Sequence, residues 1–327
     1  MKNSTEKALI LELPDDTMRQ YIDAAASFSA FEEAQAQAIQ VRGGMYWHKG
    51  PANAPEQRYL VRTNTIGAEK SLGPRSPETE QIYAAFVKRK QEAQERLGGL
   101  KKAVEKHKRL NRALRVGRVV PVVVELLNRL AESQLGEHFR VVGTHALYAY
   151  EAAAGVRFDD GALATRDIDL LWDVRKRVAF ATALSRIDSS MLGVLRQVDP
   201  TFRVRDTQRY TAVNSDGFEV DIIRREQTAD DPHPIRLSDH EDDFWVAQAP
   251  RARELLEATP FSAVIVATNG EMARMNTLEP LAFAQFKRWM SGLPDRDPLK
   301  KRRDALQASA VEYVVREYLP QWDRSSE

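Results

Sequence analysis

Thr165-Arg166-Asp167-Ile168-Asp169-Leu170-Leu171-Trp172 is the stretch on which the reading of this chain turns. Its apolar density and length predict a buried strand over 167–172. Side chains alternate faces along a strand, so Asp167 and Asp169 point one way while Ile168 and Leu170 point into the core. Two carboxylates on one face repel each other, and apolar flanks add a desolvation cost. A cation relieves both. Mg2+ (or Mn2+) suits the pair, because a hard ion is held by a few carboxylates together with substrate phosphates.

Working outward, Phe218-Glu219-Val220-Asp221-Ile222-Ile223 alternates apolar and acidic residues, and Asn214-Ser215-Asp216-Gly217 before it has turn chemistry. The pattern predicts a hairpin whose returning strand puts Glu219 and Asp221 on one face. Laid beside 167–172, that strand lets Asp221 complete a three-carboxylate cluster of the kind that holds metals for phosphoryl or nucleotidyl displacement. Upstream, the predicted strand 139–142 stops at Gly143-Thr144 and a helix follows to Ala154, with Gly155 at its C-terminal cap. Glycine lets a backbone approach a phosphate closely, the free N–H groups of the next helix favour an anion, and the Thr144 hydroxyl can donate to it.

In this order of elements Gly143, Thr144, Asp167, Asp169 and Asp221 resemble the polymerase-beta-like nucleotidyltransferase superfamily, over about residues 136–225. Thr144 replaces the commoner Ser or Gly, and Asp167 stands farther from Gly143 than in the smallest members. A second, narrower resemblance is to a bacterial nucleotidyltransferase-like group with helical N- and C-terminal regions. It is carried by 165–171 together with Pro280, Phe283, Lys287, Arg288, Trp289, Arg296-Asp297-Pro298, Lys300, Arg303-Asp304 and Gln307-Ala308. The resemblance implies an α+β fold: a mixed-sheet core, a helical N-terminal extension and a helical C-terminal domain. It also implies an NTP substrate, with Lys287, and one of the group Lys300 to Arg303, binding the triphosphate.

Several residues near the motif have two readings. Glu219 is a further metal-side group or a paired acid of the hairpin. Arg166 touches phosphate or forms a structural salt bridge. His145 contacts substrate or packs. Lys300-Lys301-Arg302-Arg303 opens a predicted helix, where cations oppose the helix dipole; it meets an anionic ligand, an acidic neighbour such as Asp304, or only solvent. The six histidines show no metal-ligand spacing, so zinc is not expected.

The rest of the 327 residues frame this core. Helical periodicity over 15–37, two β-like runs flanking Pro51-Ala52-Asn53-Ala54-Pro55, and a helix opened by Ser76-Pro77-Glu78 make an accessory region over 1–135. Gly98-Gly99 is expected to break or bend that helix. The stretch 101–118 carries eight Lys and Arg against Glu105 alone, which is a contact for a nucleic-acid backbone or a solvated face. Pro121 opens another helix. The core is expected over 136–230 and a mainly helical domain over 231–327, with an acidic loop running from Arg224 through Asp243 between them.

Hydrophobic residues make up 43% and charged residues 29%, an ordinary globular balance, and the net charge of +1 leaves nucleic-acid binding to local patches. The absence of cysteine excludes thiolate metal sites and cysteine nucleophiles. Met1 to Asp16, with its patch Ala8-Leu9-Ile10-Leu11, reads as neither a signal nor a transit peptide. No apolar run approaches the roughly 20 residues of a membrane span, so a cytoplasmic protein without a membrane partner is expected. The reading is a metal-dependent nucleotidyltransferase moving NMP from an NTP to a hydroxyl acceptor, with RNA as one candidate. Its alternative is a non-catalytic nucleotide-sensing or nucleic-acid-binding module on the same fold.

Overall fold

A computed structural model of the chain describes residues 10–50, 56–64, 67–163, 165–187, 189–228 and 234–323. Ala8 and Leu9 of the N-terminal patch, the Pro51 to Pro55 loop, and Asp230 and Asp231 of the acidic loop lie outside the described residues. The chain forms two compact units, one of Gln20–Leu110 and one built from the segments up to Arg19 and from Asn111 onward. Among the described residues no helix is long and apolar enough to cross a membrane.

In chain order, strand β1 (Ile10–Glu12) leads into helix α1 (Asp15–Gln40), then strands β2 (Gly44–Lys49), β3 (Arg58–Thr63) and β4 (Glu69–Pro74), then helix α2 (Pro77–Ala113). β2 and β3 pair antiparallel, as the two β-like runs predict, and β4 adds a third strand that the sequence reading did not anticipate. Trp47 packs on Tyr83 at 5.8 Å between ring centroids, while the hydroxyls of Tyr46 and Tyr59 donate to Glu69 and Gln57. Ser76 accepts the N–H of Thr79 at the start of α2, confirming it as the cap. α2 then runs 37 residues straight through Gly98-Gly99. A Cβ at either glycine would meet nothing, so the pair costs the helix about 1 kcal/mol each in backbone entropy without breaking it.

The second unit begins with α3 (Pro121–Glu132), whose Val123, Val124, Leu126, Leu127 and Leu130 are buried on one face. Then follow β5 (Phe139–Val142), α4 (Leu147–Ala154), β6 (Val156–Phe158), α5 (Asp160–Leu163) and β7 (Asp167–Trp172). Gly155 ends α4 at φ +67°, in the left-handed cap position expected of it. Next come α6 (Arg177–Arg186), α7 (Met191–Arg196), β8 (Arg203–Val204), β9 (Thr211–Val213), β10 (Glu219–Arg224) and β11 (Ala247–Gln248). The central sheet runs β5-β7-β10-β9-β8, with β11 alongside the far end of β10. β7 and β10 are parallel neighbours; β5–β7 and β9–β10 are antiparallel, so the sheet is mixed.

After α8 (Ala252–Glu257), strands β12 (Pro260–Val266) and β13 (Met272–Leu278) form an antiparallel hairpin that the sequence reading missed. It is fastened to the core by buried bonds: Thr277 Oγ1 donates to the Val141 carbonyl at 2.7 Å, and Tyr150 Oη to that of Leu278 at 2.8 Å. Helices α9 (Pro280–Gly292) and α10 (Pro298–Tyr318) pack on each other and complete the unit. Asp297 caps α10, accepting the N–H groups of Leu299 and Lys300 at 3.0 and 3.1 Å.

Candidate active site

The parallel pairing of β7 with β10 sets Asp221 directly opposite Asp169, and Glu219 opposite Asp167. Ile168, Leu170, Val220 and Ile222, which alternate with the acids, are wholly buried and lock the register. The carboxylates of Asp167, Asp169 and Asp221 therefore meet on one face, each offering an oxygen within 4.8 Å of the others. Two hydroxyls hold them. Thr165 Oγ1 donates to Asp167, and Thr211 Oγ1, opposite Asp221 on β9, donates to Asp221.

This crowding is costly while nothing neutralises it. Burial first, then the charges of Asp167 and Asp221, push Asp169 up to about 7, although Lys287 and Lys300 act the other way. Asp221 is also raised, by burial and by Asp167 and Glu219, against the lowering effect of the Thr211 hydrogen bond. Carboxylates so placed, with no cation bonded to them among the described residues, have the donor set and the excess negative charge that a divalent hard ion satisfies.

Gly143 sits at φ +70° and ψ −158°, a conformation essentially reserved for glycine, and a Cβ there would overlap the Asp169 carboxylate. The turn thus brings bare backbone against the acids. Thr144 is buried beside it, its Oγ1 accepting from Gln307 Nε2 at 3.1 Å.

Lys287 is buried, and its Nζ donates to Asp304 Oδ1 at 3.0 Å. The other oxygen of the fully buried Asp304 accepts from Arg296 Nε at 2.9 Å. Burial lowers the Lys287 pKa; Asp304 and Asp169 work to raise it, and the charge of Arg303 lowers it further. Lys300 is exposed near enough to act on Asp169. Arg166 is exposed: its backbone carbonyl accepts the Glu219 N–H at 2.8 Å, while its side chain makes no hydrogen bond among the described residues. The acidic neighbour anticipated for the Lys300 to Arg303 run is therefore spent on Lys287 and Arg296.

Glu219 forms an ion pair with Arg205, the paired-acid reading. His145 is buried with its ring edge-on to Phe218 at 6.0 Å, the packing reading, and burial drives its pKa down to about 4. Arg118, counted in the basic stretch, pairs with buried Glu151 and with Asp160.

Thr165, Thr211, Arg296 and Gln307 carry no assigned role in the sequence reading, and Asp304 is read there only as a neighbour of the basic run. The first two had a signal: Thr165 lies two residues before Asp167, just ahead of β7, and a hairpin turning at 214–217 pairs Thr211 with Asp221. Lys300, Asp304 and Gln307 share one face of α10 at spacings of four and three. What that face meets lies far away in sequence.

Residues 122–325 match the model of a protein family described as nucleotidyltransferase. No curated protein and no solved structure matches the chain.

Proposed function

Since the chain belongs to this nucleotidyltransferase family, we propose that it is a metal-dependent enzyme of the polymerase-beta-like kind, transferring NMP from an NTP to a hydroxyl acceptor. The observation that carries this reading is the convergence of Asp167, Asp169 and Asp221 from parallel strands onto one face.

A divalent cation, Mg2+ or Mn2+, held by these three carboxylates supplies Lewis-acid charge for the triphosphate. The chain's own groups do the rest. Gly143 lets the backbone approach the phosphates, and the Thr144 hydroxyl donates to one of their oxygens. Lys287, with Lys300, Arg303 and Arg166 around the site, offsets the charge that grows on the leaving pyrophosphate. Asp221, raised by burial and then by the charges of Asp167 and Glu219, takes the proton of the acceptor hydroxyl as its oxygen bonds to the α-phosphorus. The bond from that phosphorus to the β-phosphate oxygen breaks, and pyrophosphate leaves with the electron pair.

RNA is the acceptor favoured. Residues 20–110 carry fifteen Lys and Arg against ten Asp and Glu in a chain of net charge +1. That unit holds a groove of about 490 Å3 lined by Arg62, Arg89 and Arg96 against Glu92 alone, with Arg62 over the ring of Phe86. Phosphate backbones are bound by such charge, and a small neutral acceptor has no use for it. The compartment proposed is the cytoplasm.

The test is incubation with each labelled NTP, Mg2+ or Mn2+ and total cellular RNA or protein. Label is expected on RNA, and Asp167→Asn and Asp169→Asn variants are expected to lose it while folded. Label appearing equally with both variants would remove the site. NTP binding without transfer to any acceptor would favour the sensing module.

A further inference from the structure

The geometry points to Gln307 as a positioning residue that sets the direction of the Thr144 hydroxyl proton, making Thr144 a donor to a phosphate oxygen of the nucleotide. The inference rests on the nucleotidyltransferase reading and goes one step deeper into the same site.

Gln307 is completely buried on α10. Its amide nitrogen has two hydrogens to donate. One goes to the carbonyl of Ala162 at 2.6 Å, and the other to Thr144 Oγ1 at 3.1 Å. A backbone carbonyl can only accept, so the nitrogen, not the oxygen, must face Ala162. The flip state of the amide is therefore determined, and the same nitrogen must donate to Thr144.

A hydroxyl that accepts from an N–H keeps its own hydrogen to give away. No acceptor for the Thr144 hydrogen is present among the described residues, although Thr144 is only 4% exposed. Gln307 Oε1 is likewise buried without a partner. A buried polar group left unpaired costs about 1–3 kcal/mol, and native chains rarely leave one without use. The unspent donor stands directly after Gly143, whose backbone lies against Asp169. Without the Gln307 amide, the Thr144 hydroxyl could spend its hydrogen on the Ala162 side and turn its lone pairs towards the ligand. Lone pairs repel a phosphate oxygen, whereas a hydroxyl hydrogen binds it.

The same face of α10 carries Asp304, which holds Lys287. One helix face thus orients both a neutral donor and a cation of the site.

The test is a double-mutant cycle on full-length protein. It measures the Kd of a non-hydrolysable NTP analogue with Mg2+ by equilibrium dialysis, alongside KM and kcat. Thr144→Val and Gln307→Met should each weaken nucleotide binding about tenfold, the worth of one charge-assisted hydrogen bond, with KM rising more than kcat falls. The double variant should be no worse than Thr144→Val alone, and Thr144→Ser should restore both the binding and its sensitivity to Gln307→Met. Should Gln307→Met not fold by circular dichroism, Gln307→Asn, which keeps the amide and withdraws it, takes its place in the cycle. Losses that simply multiply, or a folded Gln307 variant with wild-type affinity, would overturn the inference and leave the nucleotidyltransferase reading standing. A wild-type protein that binds no nucleotide would overturn both.

Discussion

Asp221 and Asp169 stand opposite each other on parallel neighbouring strands, and their side chains share a face with Asp167. That pairing has a measurable thermodynamic consequence. In the metal-free protein Asp169 is pushed from its ordinary 3.8 up to about 7, so the folded state holds a proton there that the unfolded chain has already released. Folding stability linked to this group is intact below pH 4 and declines as pH rises towards 7. Asp169→Asn is expected to melt above the wild type at pH 8 in chelator, by on the order of 1–2 kcal/mol, and to match it at pH 4. Mn2+ should raise the melting temperature of the wild type and leave that of the variant unmoved. Thermal melts at the two pH values, with and without metal, check both statements.

Gly143 offers a second measurement. Its backbone conformation excludes a side chain, and its missing Cβ is the space occupied by the Asp169 carboxylate. Gly143→Ala is expected to destabilise the fold by about 1–3 kcal/mol through strain alone and to displace Asp169 from its partners. Transfer activity should fall more than a hundredfold, since a displacement of about 1 Å costs that much at a site of fixed geometry. A variant retaining near-normal activity would show that the turn need not approach the acids so closely.

The Lys287–Asp304 pair separates stability from activity. Both groups are buried, so removing one partner strands a charge: Asp304→Ala should cost about 3–5 kcal/mol in chemical denaturation. Replacing both at once, with Lys287→Met and Asp304→Leu, should recover most of that loss, because Arg296 is partly exposed and can reach water. The recovered stability should come without recovered nucleotidyl transfer, if the Lys287 cation serves the triphosphate.

How much of this was legible in the sequence follows the range of the interactions. Strand β7, the β9–β10 hairpin and the helix starts at Ser76 and Pro121 rest on alternation, turn residues and caps a few positions apart, and all could be read. The approach of β10 to β7 could be stated only as a condition, because it joins segments some fifty residues apart, and parallel strands have no connecting turn to announce them. The β12–β13 hairpin escaped because Val264, Ile265, Val266 and Ala267 form an apolar run in which strand alternation is invisible. β4, with its Lys70, Gly73 and Pro74, lacks strand composition altogether and is held by pairing with β3. At the site, the acids and the Gly143-Thr144 turn were legible as local motifs. The partners that orient them were not: Gln307 lies 163 positions from Thr144, and the buried Asp304 that claims Lys287 looks in sequence like one more charge in a basic run.

The groove in the unit of residues 20–110 provides the last prediction. Arg89 and Arg96 lie seven residues apart on one face of α2, and Arg62 from β3 stands over Phe86 at 5.6 Å. Arg96 also reaches Glu33 at 3.7 Å and Gln37 at 3.2 Å, so one guanidinium is steadied while keeping further donors for a ligand. If the three arginines meet single-stranded RNA phosphates, changing all of them to Gln should reduce the slope of log affinity against log salt by about two, at roughly 0.7 per phosphate contact. Affinity near 0.1 M salt should fall about 10- to 100-fold by the same count. Nucleotide binding should be unaffected, because none of the three belongs to the carboxylate site. Fluorescence anisotropy with a labelled single-stranded RNA over a salt series gives the slope directly. An unchanged slope would mean that the arginines are a solvated face, and that the acceptor, whatever its chemistry, is bound elsewhere.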